Sequence, residues 1–239
     1  MQFVINDLEK MTIGIMQPYF MPYIGYWQLM AAVDKYVVYD DVNYIKGGWV
    51  SRNNILMNEQ AHMFTITLNG ASPYKHFNEI GVRDDFVKFR KMLQSCYAKA
   101  PYYAAVMPML EKICDYENRT LSAFFFNSFR VILDYLDIKT ELILSSTIKK
   151  DNSLHAADKV KHICHLLGAD TYYNATGGQE LYDADDFAQD GIILKFLRTN
   201  AISYPQYKNE FVPNLSIIDV LMFNGKEGTN QLLKEYTLV

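Results

Sequence analysis

One unit near the start of the chain leaves few folds open. A short apolar run, Met11-Thr12-Ile13-Gly14-Ile15-Met16, stops at Gln17-Pro18. Helical spacing follows through Tyr23, Tyr26, Trp27 and Met30, and a second run, Tyr36-Val37-Val38-Tyr39, closes in Asp40-Asp41. Proline cannot donate to a sheet ladder, so it ends the first strand, and the 3.6-residue spacing then makes the connection helical. A strand, a helix and a strand this close together form a right-handed crossover, which requires a parallel sheet. The fold class expected is therefore α/β: a Rossmann-like, mostly parallel sheet flanked by helices.

The pattern changes after this unit. Asn54 to Leu68 gives two extended pieces around an Asn58-Glu59-Gln60 turn, and Asp84 to Ala98, Pro101 to Tyr116 and Thr120 to Tyr135 each carry helical spacing. These three predict a helical insertion or cap over about 84–136 within a single domain spanning 1–239. The β/α alternation resumes with a strand at Glu141 to Ser145, a helix at Ser153 to Leu167 capped by Ser153, and strands at Thr171 to Asn174 and Ile192 to Leu197. Two short helices, Ser216 to Phe223 and Thr229 to Tyr236, are expected around Asn224-Gly225. Residues 1–10 precede the first strand as an N-terminal extension.

Composition excludes some function classes. A net charge of -4 offers no basic field to a phosphate backbone, so nucleic acid is not an expected partner. The longest apolar helical stretch, Leu121 to Leu136, is broken by Asn127, Ser128, Arg130 and Asp134, so membrane insertion is not expected. Three cysteines, Cys96, Cys114 and Cys164, make no disulfide framework and suit buried thiols in a reducing, cytoplasmic setting.

Five segments gather groups able to bind or react. Gln17, Tyr19 and Tyr23 lie where the first strand gives way to its helix, the edge at which open α/β sheets hold ligands. Asp40 and Asp41 end the second strand, and Lys46, Trp49, Arg52 and Asn53 surround a Gly47-Gly48 hinge, offering carboxylates for hydroxyls and cations for phosphates. His155 opens the helix before Leu167 and is a general-base candidate. With Asp158, His162 and His165 it spans an arc of about 80°. That spacing also suits a solvated polar face flanked by Lys159 and Lys161, so no metal is expected. Asn174, Thr176, Gly177 and Gly178 end another strand and bring amide, hydroxyl and backbone donors to the same edge. Asp219, in an otherwise apolar helix, needs a partner if buried, and Arg52 or Lys46 would serve. Asp183-Ala184-Asp185 is read as an acidic helix start and not as a metal motif.

Together, Ile15-Met16-Gln17-Pro18-Tyr19 through Gly25-Tyr26, Tyr39-Asp40-Asp41, Lys46-Gly47-Gly48-Trp49 with Arg52-Asn53, Ala100-Pro101-Tyr102-Tyr103, Thr176-Gly177-Gly178 and Leu215 through Gly225 closely resemble the WbqC-like family. The likeness runs from about Met11 to the C-terminus. It implies a place in the biosynthesis of bacterial O-antigen and related surface polysaccharide, and it specifies neither a reaction nor a cofactor. The leading expectation is a transferase adding an acyl or aminoacyl group to a nucleotide-linked amino sugar, with His155, Asp41 and Asp219 catalytic and the other residues above binding substrate. Two alternatives stand beside it: ATP-dependent adenylyl or nucleotidyl transfer, and a non-catalytic accessory protein of the same pathway. Homo-oligomerisation is left open.

Overall fold

The computed structural model describes residues 10–208 and 210–239, so the extension expected at 1–10 lies outside the described residues but for Lys10. Strand β1 (Thr12–Met16), helix α1 (Ile24–Ala31) and strand β2 (Lys35–Val38) form the expected crossover. The two strands run parallel, with Ile13 opposite Lys35 and Met16 opposite Val38. Before the sheet resumes, the chain builds two hairpins, β3 (Arg52–Met57) with β4 (Gln60–Thr65) and β5 (Leu68–Asn69) with β6 (Gly81–Val82). The first turns through Asn58 and Glu59, both at positive φ (49° and 64°), the conformation that matches strand twist in a two-residue turn. Helices α2 (Val87–Tyr97), α3 (Tyr103–Cys114) and α4 (Leu121–Leu136) follow where helical spacing predicts them.

Strand β7 (Glu141–Leu144) then pairs parallel with β2. Helix α5 (Ala156–Leu166) carries the chain to the far side of β1, where β8 (Thr171–Ala175), helix α6 (Ala184–Gln189) and β9 (Ile193–Thr199) extend the sheet. Helix α7 (Ile217–Leu232) and strand β10 (Tyr236–Leu238) complete it, and the order is β10-β9-β8-β1-β2-β7. The parallel strands therefore fan outward from β1 in both directions, as a Rossmann-like sheet requires, and the order reverses between β1 and β8.

One hydrophobic cluster joins the sheet to α1, the three inserted helices and α7, while a second packs α5 and α6 on the other face around Ile13, Ile15, Val37, Tyr172 and Phe187. Lys161 fastens that second layer, its ammonium 3.0 Å from Asp186, 2.8 Å from Asp190 and 3.4 Å from Asp158. The inserted helices share their core with the sheet. Phe20, in the loop after β1, packs against Phe64, Phe86, Phe89, Phe124 and Phe125 with ring centroids 5.7–6.2 Å apart. Truncating such a ring costs about 3–5 kcal/mol.

Three local expectations need correction. The final two helices do meet at Gly225 (φ 60°), where a Cβ would lie 2.5 Å from the Tyr102 ring, but the second ends at Leu232 and not at Tyr236, and Tyr236–Leu238 form a strand antiparallel to β9. Ser153 does not cap α5: its hydroxyl donates to Asp151 at 2.7 Å, and His155 holds the cap position without a side-chain bond. The second strand stops at Val38, before the aspartates.

Candidate functional site

The loop after β1 crosses the point where strand order reverses, and its shape is fixed from three sides. Met21 adopts a positive φ of 50°. Its carbonyl accepts from Ser216 Oγ at 2.8 Å and from the Asn53 side-chain amide. Phe20 N–H donates to Val50 O at 2.9 Å, and Pro22 O accepts from Trp27 Nε1 at 3.1 Å and Ile217 N–H at 2.9 Å. These bonds hold Tyr19 and Tyr23 on the rim, where with Trp49, Asn53 and Asn214 they line a cavity of about 390 Å³. Trp49 is 49% exposed, with the Arg52 guanidinium 5.5 Å from its ring centre. A second cavity, about 480 Å³, meets the first at Tyr23 and Asn214 and continues past Thr176, Arg198 and Thr199. The two form one slot over β1, β8 and β9, walled by aromatic faces with amide and hydroxyl groups between them. Gly25 makes room for it, because a Cβ there would lie 2.6 Å from the Tyr23 ring and hydroxyl and 2.5 Å from Thr199 Oγ1.

Along the same rim, over β2 and β7, lies a cavity of about 720 Å³ lined by Tyr39, Asp41, Asn43, His76, Asn78, Ser146, Asn152, His155 and Lys159 among others. Asp40 and Asp41 divide the labour here. Asp40 is fully buried and accepts from Ser146 N–H at 2.9 Å and Ser146 Oγ at 2.8 Å, which ties the end of β2 to the end of β7. Asp41 faces the cavity and pairs with the buried Lys150 at 2.5 Å. Burial works to raise the Asp41 pKa, but the Lys150 ammonium, the Ser145 hydroxyl and the Lys159 charge prevail and hold it below the ordinary carboxylate value. The adjacent Tyr39 hydroxyl is pushed up to about 12 by burial and by the Asp41 charge.

The residues singled out in the sequence thus occupy two neighbouring places and not one shared cavity. Tyr19, Tyr23, Trp49, Asn53 and Thr176 line the slot; Asp41 and His155 line the second cavity. Gln17 lines neither the slot nor the second cavity; its carbonyl accepts from Tyr26 Oη at 2.8 Å. Lys46 is exposed, and Arg52 turns back to donate to the Gly47 carbonyl. Asn174 caps its own strand end by accepting from Ala175 N–H at 2.8 Å; Gly178 packs against its amide, while Gly177 is open to solvent.

Asp219 requires the largest correction. It is fully buried, and neither Arg52 nor Lys46 is its partner: Tyr97 Oη donates at 2.8 Å, Tyr204 Oη at 2.8 Å and Gln206 Nε2 at 2.7 Å. With only neutral donors around it, burial raises its pKa. The stripe on α5 is also otherwise engaged, since Asp158 pairs with Lys161 and His162 Nε2 accepts from Asp151 N–H at 3.3 Å. Asp183 caps α6, accepting from Asp186 N–H at 2.9 Å. Sequence reasoning missed His76, Lys150 and Asn214. His76 reaches the cavity through a bridge to Asn43, and Lys150 follows β7 as Asp41 follows β2, so only the strand order makes them neighbours.

No helix among the described residues is long and apolar enough to cross a membrane, and no group of three or more His, Cys, Asp or Glu among them could hold a metal ion. The sequence profile of the WbqC-like protein family matches residues 17–231. A protein of Mycobacterium tuberculosis (strain ATCC 25618 / H37Rv), "Uncharacterized protein Rv1507c", is 25% identical over 225 residues, covering 92% of this chain and 96% of that protein. No solved structure matches.

Proposed function

The chain belongs to the WbqC-like protein family, and from that premise we propose that it is a cytoplasmic transferase of surface-polysaccharide biosynthesis that adds an acyl or aminoacyl group to a nucleotide-linked amino sugar. One observation carries this reading: an aromatic slot at the strand-order reversal stands beside a cavity containing His155 and Asp41. Tyr19, Tyr23 and Trp49 offer ring faces for a base or pyranose, Asn214 and Thr176 offer polar contacts, and Arg198 supplies a cation at the far end. In the neighbouring cavity His155 takes the proton of the attacking amine as the new N–C bond forms, then returns it to the departing group as the acyl bond breaks. Asp41, kept ionised by Lys150, accepts from a substrate hydroxyl in the same cavity.

Calorimetry and thermal shift with a panel of nucleotide-linked sugars test the reading. At least one member should raise the melting temperature. Trp49→Ala or Tyr23→Ala should weaken it by about 1–3 kcal/mol, the worth of one stacked ring. Indifference to the whole panel, or undiminished binding by both variants, refutes the assignment. ATP-dependent pyrophosphate release would instead point to adenylyl transfer.

A further inference from the structure

We infer that the cavity over β2 and β7 is a binding site for an oxyanion, a phosphoryl or carboxylate group, separate from the aromatic slot. The ionisable groups lining it are Tyr39, Asp41, His76, His155 and Lys159. Asp41 is already neutralised by Lys150. Lys159 has no carboxylate within ion-pairing distance among the described residues, and its ammonium instead lies 5.9 Å from the centre of the Tyr39 ring on the cavity wall. With Asp41 offset by Lys150, Lys159 leaves the space one positive charge in excess, inside a chain whose net charge is -4.

Neutral donors complete the lining. Asn43 and His76 are partners in an antiparallel bridge, which sets their side chains next to each other on one face. Asn43, Asn78 and Asn152 line the cavity, and their side-chain amides make no hydrogen bond among the described residues. Ser146 is different, since its hydroxyl donates to Asp40 and it contributes only as wall. An ammonium outside any ion pair, two imidazoles and three amides among the residues lining about 720 Å³ supply the donors that an oxyanion requires. The contrast with the slot, whose nearer half has no ionisable group besides its two tyrosines, divides the rim into a ring-binding half and an anion-binding half. This inference rests on the proposed transferase only in making the oxyanion part of the co-substrate; the site itself stands apart from that reading.

The test titrates the full chain separately with inorganic phosphate, pyrophosphate and acetate by calorimetry. Binding by either phosphate species alone makes the group phosphoryl, and binding by acetate alone makes it a carboxylate. Lys159→Met should weaken the preferred anion about 10- to 100-fold while Lys159→Arg retains it. Lys159 is a partly exposed residue, and matched melting curves establish that the variants fold; His155→Ala provides a second weakening variant. Trp49→Ala should leave anion affinity unchanged while weakening the sugar-nucleotide response, so the two proposals fail independently. No binding tighter than about 10 mM by any of the three anions, or wild-type affinity in both Lys159→Met and His155→Ala, overturns the inference.

Discussion

Replacing Asp219 by alanine should unfold this protein early without acting through chemistry. The carboxylate is fully buried and accepts from Tyr97, Tyr204 and Gln206 at 2.7–2.8 Å. Tyr97 Oη also accepts from Leu56 N–H at 2.9 Å, and Gln206 exchanges two further bonds with the Val212 backbone, so the network joins α2, α7, β3 and the loop before α7. Removing the acceptor leaves three buried donors facing a void. Each orphan costs about 1–3 kcal/mol, and because the losses are not additive a total of about 4 kcal/mol is expected. At about 2–4 °C per kcal/mol for a chain of this size, the melting temperature should fall by roughly 8–16 °C in circular dichroism. The pH dependence follows from the raised pKa of Asp219. The folded state holds the Asp219 proton more tightly than the unfolded chain, so this residue's contribution is complete below the ordinary value of 3.8 and is lost as pH rises through the higher folded value. Asp219→Ala should therefore flatten the stability profile just above 3.8. A drop under about 2 °C, with that slope intact, would refute the assignment of Asp219 to the core.

Gly25→Ala should displace the Tyr23 ring from the slot, weakening ring-ligand binding far more than it lowers the melting temperature; comparison of calorimetric affinity with a thermal melt separates the two. Lys150→Met should cost about 1–3 kcal/mol by leaving the half-buried Asp41 without its cation, as read by urea titration. In the native chain the Asp41 pKa is lowered, so this pair's stabilisation is present above 3.8 and lost as pH falls through the folded value; the variant should lack that acid-side loss.

What could be read without coordinates was whatever is encoded locally. The β1-α1-β2 crossover announces itself through two apolar runs and a proline, and the β3-β4 turn through Asn58 and Glu59. Strand β10 escaped notice because Tyr236-Thr237-Leu238 is too short to show alternation and is defined only by its pairing with β9. For the same reason Asp219 was offered the wrong partners: Tyr97 lies 122 residues away, and nothing around the aspartate hints at a phenol. At the rim, His155 and Asp41 were recognisable as reactive types at strand and helix ends. Whether they share a cavity, and whether Lys46 or Arg52 joins them, depends on strand order. Lys159 was passed over because a lysine beside a polar stripe has the same local pattern whether it faces water or a cavity.

The buried Gln28 on α1 has a consequence for how the sheet forms. Its amide nitrogen donates to the carbonyls of Leu232 and Glu235 at 3.0 and 2.9 Å, and its oxygen accepts from Thr199 Oγ1 at 2.8 Å. A single side chain in the first crossover is thus satisfied only by segments about 170–207 residues later. Closing loops of that length is slow. Until it happens, a desolvated amide has nowhere to direct its bonds, so the early βαβ unit and the β9-β10 edge should gain protection from hydrogen exchange together and lose it together.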